Sequence, residues 1–436
     1  MIMTFLNVYL FAEQPETPEQ KAERLQWFQD AKLGIFIHWG IYAVNGIDES
    51  WSFFNGYITY DDYMKQLNNF TAKNYDPKAW VKLIKESGAQ YAVLTSKHHD
   101  GVALWDSKYG DLNVVNKTPV GKDLIQPLVK SLRKNDLKVG LYYSLLDWSH
   151  MDYPNHLRNK KRYENDSLRW ANFVKFNLGQ IEEISKKYNP DLVWFDGDWE
   201  QSAERWKAKE IREMLLNKNP NVIINSRLQG YGDYATPEQG LPVTRPKSLW
   251  WELCMTMNDS WGFQHNDHNY KTPNQVIRIL VDCIGMGGNL LLDIGPKADG
   301  TIPKEQVQIL KELGRWTQKH KEAIYGTRAG IPKDHFYGAT ALSKNREILY
   351  LYLPHKPNGS VVLKGIKNQI NRIWIVGNGT KLAWDIKMKA YWSSVPGLIY
   401  IDVPEKVLDE QVTVIAVLLK GPIELYREDV QKIESN

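Results

Sequence analysis

Apolar residues gather in short, nearly unbroken runs: Leu33–Trp39, Gln90–Ser96, Lys138–Ser144, Asp191–Phe195, Asn221–Asn225, Leu249–Leu253 and Asn289–Ile294. Runs of this length with no polar face predict strands covered on both sides. Between them lie segments of helical periodicity: Pro77–Ser87, Asp123–Asn135, Ser167–Tyr188, Glu204–Asn217, Pro273–Met286 and Pro303–His320. Pro77, Pro273 and Pro303 each fall at a predicted first helical position, and Thr272 is suited to an N-cap. Strand–helix alternation over about 300 residues predicts a parallel α/β fold. Seven strands, with no glycine-rich nucleotide fingerprint after the first, point to a (β/α)8-like, TIM-type barrel with one degenerate strand.

Beyond Pro332 the helical period disappears. Ile348–Leu353, Ser360–Leu363, Arg372–Val376, Leu398–Val403 and Thr413–Leu419 read as strands parted by turns such as Pro357-Asn358-Gly359, which predicts a C-terminal antiparallel β-sandwich. The division read from the sequence is an N-terminal segment (1–22), a barrel (23–332) and a sandwich (333–436). Met1–Ala12 is apolar without a basic flank and reads as a leader or signal remnant sooner than as an N-terminal strand. Two sequons, Asn69-Phe70-Thr71 and Asn116-Lys117-Thr118, fit a secreted, periplasmic or lysosomal-type compartment, with a cytoplasmic one left open. No run approaches the ~20 apolar residues of a membrane span.

Net charge narrows the partners. With 55 basic and 51 acidic residues the chain carries +4, spread without a Lys/Arg block, so nucleic acid is not an expected partner. Cys254 and Cys283 are too few for a disulfide framework and lack a paired metal spacing. The 17 Trp and 23 Tyr are unusual, because flat rings with a polar edge suit sugar faces as well as cores.

In such a barrel the chemistry projects from the C-terminal ends of the strands. Read in order, the predicted ends are Ile37-His38-Trp39-Gly40, Lys97-His98-His99-Asp100-Gly101, Tyr142-Tyr143-Ser144 on to Asp147-Trp148, Trp194-Phe195-Asp196-Gly197-Asp198-Trp199, Asn225-Ser226-Arg227 and Trp250-Trp251-Glu252. Pure packing needs only turns there. Six ends finishing in ionisable or aromatic residues predict a polar site lined with rings. Asp196 closes an apolar strand and Gly197 frees the backbone to turn. Asp198 is on the same side of an extended chain and is suited to orienting neighbours or capping the next loop.

The runs LGIFIHWG, TSKHHDG, WFDGDWE, NSR, WWE and GGNLLLDIGPKADGTIP resemble the α-L-fucosidases of glycoside hydrolase family 29 over roughly residues 24–325. The resemblance implies a retaining, exo-acting hydrolase that releases terminal L-fucose from fucosylated oligosaccharides or glycoconjugates, with no cofactor and no metal. By it Asp196 is the nucleophile, His38, His98 and His99 bind sugar hydroxyls, and Tyr143 and Arg227 lie near the nucleophile. Trp194 and Trp261 would face the apolar side of the sugar. Trp51 belongs to the same set, although Ser50 stands before it where relatives often carry an acid.

A retaining enzyme needs a second carboxyl about 5–5.5 Å from the first. Glu238, in Tyr234-Ala235-Thr236-Pro237-Glu238-Gln239, and Glu252, beside Trp251, compete for that role; Glu238 is preferred, and burial against an indole would raise the pKa of Glu252. The TPEQ loop resembles members acting on α1,3/1,4-linked fucose. Two other classes fit some of the same residues. A metal-dependent hydrolase or glycosyltransferase would use the His/Asp cluster, and a non-catalytic fucose-binding barrel would keep the rings and histidines. The oligomeric state is not legible.

Overall fold

The computed structural model describes residues 16–426, so the apolar stretch Met1–Ala12 lies outside the described residues. Seven parallel strands form the first sheet: β1 (Leu33–Ile37), β2 (Tyr91–Lys97), β3 (Lys138–Ser144), β4 (Leu192–Asp196), β5 (Ile223–Ile224), β6 (Glu252–Thr256) and β7 (Asn289–Ile294). Their order is β5-β4-β3-β2-β1-β7-β6. The gap between β5 and β6 is bridged by the segment after Asp233, through single parallel bridges Asn225–Tyr234, Ala235–Trp251 and Glu238–Cys254. This segment is the degenerate eighth stave.

Alternation along the strands builds two layers. Phe36, Tyr91, Val93, Tyr142, Leu192, Trp194, Ile223, Cys254 and Leu291 pack together inside the barrel, with Leu25 and Phe28 stoppering its N-terminal end. The residues between them, such as Ile35, Leu94, Leu141, Tyr143, Phe195 and Leu292, pack outward in the larger core. Gly34 is needed here: a Cβ would sit 2.4 Å from the Tyr91 ring, which crosses the barrel at that height.

The closing segment is tied down at its root. The buried Asp233 carboxylate accepts both Nη atoms of Arg24 at 2.8 Å, the Ile224 amide at 2.9 Å and, at 3.0 Å, Arg212. Two differences from the sequence reading matter. Pro303 is the residue before its helix (Lys304–His320) rather than the first helical one, whereas Pro77 and Pro273 do occupy first positions. The sixth strand begins at Glu252, three residues later than its apolar run suggested, because Trp250 and Trp251 precede the ladder and Trp251 packs on Gly288.

The C-terminal sandwich has a five-stranded sheet, β8 (Arg328–Ala329), β9 (Thr340–Leu342), β10 (Ile348–Leu353), β15 (Thr413–Leu419) and β12 (Ile370–Ile375) in that spatial order. Against it lie β11 (Val361–Leu363), β14 (Leu398–Ile401) and β13 (Trp384–Lys387). One face of the larger sheet (Tyr350, Tyr352, Val414, Ala416) joins the barrel's outer core, and the other (Leu349, Leu351, Ile415, Val417) joins the sandwich core. Trp316 of helix Lys304–His320 donates to the Val412 carbonyl at 2.8 Å across this seam. Among the described residues no helix is long and apolar enough to cross a membrane.

Candidate active site

Asp196 is the last residue of β4 and shares the inward parity of Trp194. Its Oδ1 accepts Arg227 Nη1 at 2.7 Å and its Oδ2 accepts the Tyr142 hydroxyl at 2.9 Å, leaving the residue 8 % exposed at the mouth of the barrel. Gly197 then turns the chain at φ +82°, where a Cβ would strike Leu146. Asp198 leaves the site: its Oδ2 accepts the Gln229 amide at 2.9 Å and its carbonyl accepts Gln229 Nε2 and Trp206 Nε1. It thereby fixes the loop that carries Arg227, the orienting role read from the sequence.

Arg227 is the centre of the arrangement. While one Nη holds Asp196, the other holds Glu238 Oε2 at 2.5 Å, so a single guanidinium spans two carboxyls at the barrel mouth. Glu238 stands on the closing segment with 40 % of its side chain exposed, open to a ligand.

Glu252 is elsewhere. It opens β6 instead of ending a strand, and is fully buried inside the barrel below Trp194. Its Oε1 accepts Trp194 Nε1 at 3.1 Å and its Oε2 accepts the Tyr91 hydroxyl. Burial pushes its carboxyl up to about 7, against the opposing hydrogen bonds from Tyr91 and Trp194. That is the value a general acid wants, at a position no ligand in the mouth can touch, and geometry has priority over pKa.

The three histidines do converge. Strand β2 stops at Lys97, so His98 and His99 lie beyond the alternation that would have sent them to opposite faces, with ring centroids 4.3 Å apart. His38 Nδ1 lies 2.7 Å from Asp293 Oδ1, and His98 Nδ1 bonds Ser50 Oγ, so the serine in the acid's place makes a hydrogen bond of its own. Burial is the first cause lowering all three, His99 to about 3, which favours neutral rings. For His99 the tautomer follows from its partner. Ser144 Oγ donates to the Leu146 carbonyl at 2.8 Å and so accepts from His99 Nδ1 at 2.6 Å. Nε2, 3.6 Å from Asp196 Oδ2, is left as a bare acceptor suited to a ligand hydroxyl.

Rings wall the site. Trp261 stands with its centroid 4.9 Å from that of His38, and Trp51 stands 5.5 Å from His99. Trp194, 2 % exposed, is a floor more than a wall: Tyr142 stacks on it at 5.6 Å and the Arg227 guanidinium lies 4.5 Å from its ring centroid. Trp199, half-exposed and stacked on Trp51 at 6.4 Å, was not singled out by the sequence reading.

Tyr143 is not part of the site. Its hydroxyl points into the outer layer, donating to Asn177 or Gln180 and accepting from Lys97 Nζ at 3.0 Å. The hydroxyl that holds the Asp196 carboxylate is that of Tyr142 instead. Parity carried the signal: Ser144 pairs with Asp196 in register, so Tyr142, two residues before it, faces inward and Tyr143 cannot. Glu49 was also missed. It is buried, pushed up to about 8 by burial, and accepts the Gly262 amide, which fixes the loop presenting Trp261. Among the described residues, no three His, Cys, Asp or Glu side chains are grouped as a metal ion would require.

A sequence model of the α-L-fucosidase family matches residues 11–322. An α-L-fucosidase of Branchiostoma floridae is 32 % identical over 405 residues, 85 % of this chain and 86 % of that one. Among solved structures, α-L-fucosidase isoenzyme 1 from Paenibacillus thiaminolyticus superposes with a TM-score of 0.84 at 35 % identity, covering 92 % of this chain and 100 % of the other. A family 29 α-L-fucosidase from Bacteroides thetaiotaomicron, trapped as a covalent intermediate with 2-fluoro-fucosyl fluoride, gives 0.80 at 28 % identity over 92 % and 96 %.

Proposed function

The chain belongs to the α-L-fucosidase family, glycoside hydrolase family 29, and on that premise we propose that Asp196 is its nucleophile and Glu238 its acid/base. It acts as a retaining α-L-fucosidase on fucosylated glycans. The lectin-like and metal-dependent alternatives have no support among the relatives, which are α-L-fucosidases by name.

The observation that carries the assignment is the Arg227 fork, which sets Asp196 and Glu238 side by side at the mouth while Glu252 is sealed below. In the first step an Asp196 oxygen bonds to the anomeric carbon as the glycosidic C–O bond breaks, and Glu238 gives its proton to the departing oxygen. In the second step the Glu238 carboxylate takes a proton from water, whose oxygen displaces Asp196 and releases fucose with its configuration retained. Arg227 and Tyr142 aim the attacking carboxylate, and His99 Nε2 accepts a sugar hydroxyl. His38, His98, Trp51 and Trp261 complete the pocket. Trp194 supports it from beneath.

The TPEQ loop that carries Glu238 supports α1,3/1,4-linked branches as the preferred linkage. Relatives named as tissue and plasma enzymes support a secreted or lysosomal-type compartment. Proton NMR on a mixture of α1,2- and α1,3/1,4-fucosylated oligosaccharides, in buffer with chelator, tests the reading. α-Fucose is expected first, before mutarotation, with the α1,3/1,4 branches consumed ahead. First appearance of β-fucose, or no release until metal is restored, would refute it.

The two adjacent tyrosines should separate cleanly. Tyr142→Phe removes a hydrogen bond from the nucleophile and is expected to lower kcat about 10- to 100-fold at unchanged Tm. Tyr143→Phe strands Lys97, Asn177 and Gln180 in the outer layer, and should cost about 1–3 kcal/mol of stability with kcat nearly intact. Thermal melts and initial rates on the same preparations decide it, and the reverse pattern would return Tyr143 to the site.

A further inference from the structure

Asp196 is held by two groups, and both rest on one ring. Tyr142, which donates to Oδ2, stacks on the Trp194 indole at 20° between planes, and Arg227, which holds Oδ1, lies 4.5 Å from its centroid. The indole is itself tied at one atom, Nε1, to Glu252 Oε1. Phe36 packs against the ring at 5.1 Å. The other Glu252 oxygen is held by Tyr91, whose own ring is seated over Gly34.

A buried carboxylate is expensive and is kept only where its partners need it. Here the need is geometric: a fixed acceptor beneath the floor sets the plane on which both nucleophile partners lie. From this we infer that Glu252 is a positioning residue for the reaction, acting through Trp194 on Arg227 and Tyr142 and thereby on Asp196. The inference rests on the assignment of Asp196 as nucleophile. It gives Glu252 a role distinct from the proton transfer assigned to Glu238, and makes the sequence WWE part of the machinery without contact with the sugar.

The test is a double-mutant cycle on an activated aryl α-L-fucoside, whose leaving group needs no protonation, so that proton donation by Glu238 drops out of the first step. Glu252→Leu removes the acceptor, and Trp194→Phe removes the Nε1 donor together with the five-membered part of the indole while keeping a six-membered ring. Each is expected to lower kcat about 10- to 100-fold with KM changed less, and the double variant should be no worse than the weaker single. Glu252→Gln, which retains an acceptor oxygen, should recover kcat to within about threefold. Multiplicative losses in the double variant, or normal kcat with a lowered Tm, would mean that Glu252 only fills the core. If Glu252→Leu does not fold, Trp194→Phe alone decides, and normal kcat there overturns the inference. Loss in Glu252→Gln confined to poor leaving groups would overturn it by making Glu252 the acid. None of these outcomes bears on whether Asp196 is the nucleophile, which is read separately from variants at that position.

Discussion

Asp196→Gly is expected to lower fucoside turnover by about 10⁴- to 10⁶-fold, because the proposed nucleophile has no substitute in the mouth. His99 Nε2 lies 3.6 Å from Oδ2, and the role proposed for it is to accept a sugar hydroxyl. The fold should survive. Asp196 is at a strand end, and its loss leaves Arg227 still paired with Glu238 and the Trp194 ring. The space vacated fits a small anion beside the guanidinium, so azide with an activated aryl fucoside should restore part of the turnover. The product should be the β-fucosyl azide, since the anion attacks from the side Asp196 occupied and no second inversion follows. Near-normal turnover in the variant, or an α-azide, would sink the nucleophile assignment.

Glutamine at position 238 divides substrates by leaving group. Natural oligosaccharides, which need protonation of the departing oxygen, should slow about 10²- to 10⁴-fold. Activated aryl fucosides need none in the first step and should still form the fucosyl-enzyme, which then accumulates because the base for water is missing. A burst of aryl alcohol followed by a slow phase is the expected trace. The Arg227 contact can be kept by the amide oxygen, so the variant should leave Asp196 in place. Equal losses on both substrate types would show that Glu238 only holds Arg227.

The strands of this barrel were legible because burial on both faces leaves continuous apolar runs; β3 and β7 match their predicted limits residue for residue. The same signal misled at β6. Trp250 and Trp251 are apolar for reasons of local packing at the barrel's N-terminal edge, so the run began three residues early and moved Glu252 to the wrong end of its strand. Tyr143 failed for a different reason. Neighbouring tyrosines are equivalent in composition, and only the strand register, which pairs Ser144 with Asp196, tells inward from outward. His98 and His99 lie together at the mouth because the strand had already ended. Glu49 was beyond reach, since a buried glutamate bound to a backbone amide 213 positions away leaves no local trace.

The two proposed catalytic carboxyls are mounted on backbone of different quality. Asp196 ends a strand paired with β3 over its whole length and with β5 at its start, whereas Glu238 belongs to a segment joined to its neighbours by isolated bridges and anchored chiefly at Asp233. Backbone of the first kind opens only with the whole domain, and backbone of the second kind can open alone. Mild denaturant or warmth would therefore release the proton donor while the attacking group stayed in place. Under such stress the protein would first become a narrower enzyme, confined to substrates that leave unaided, and only later an inactive one.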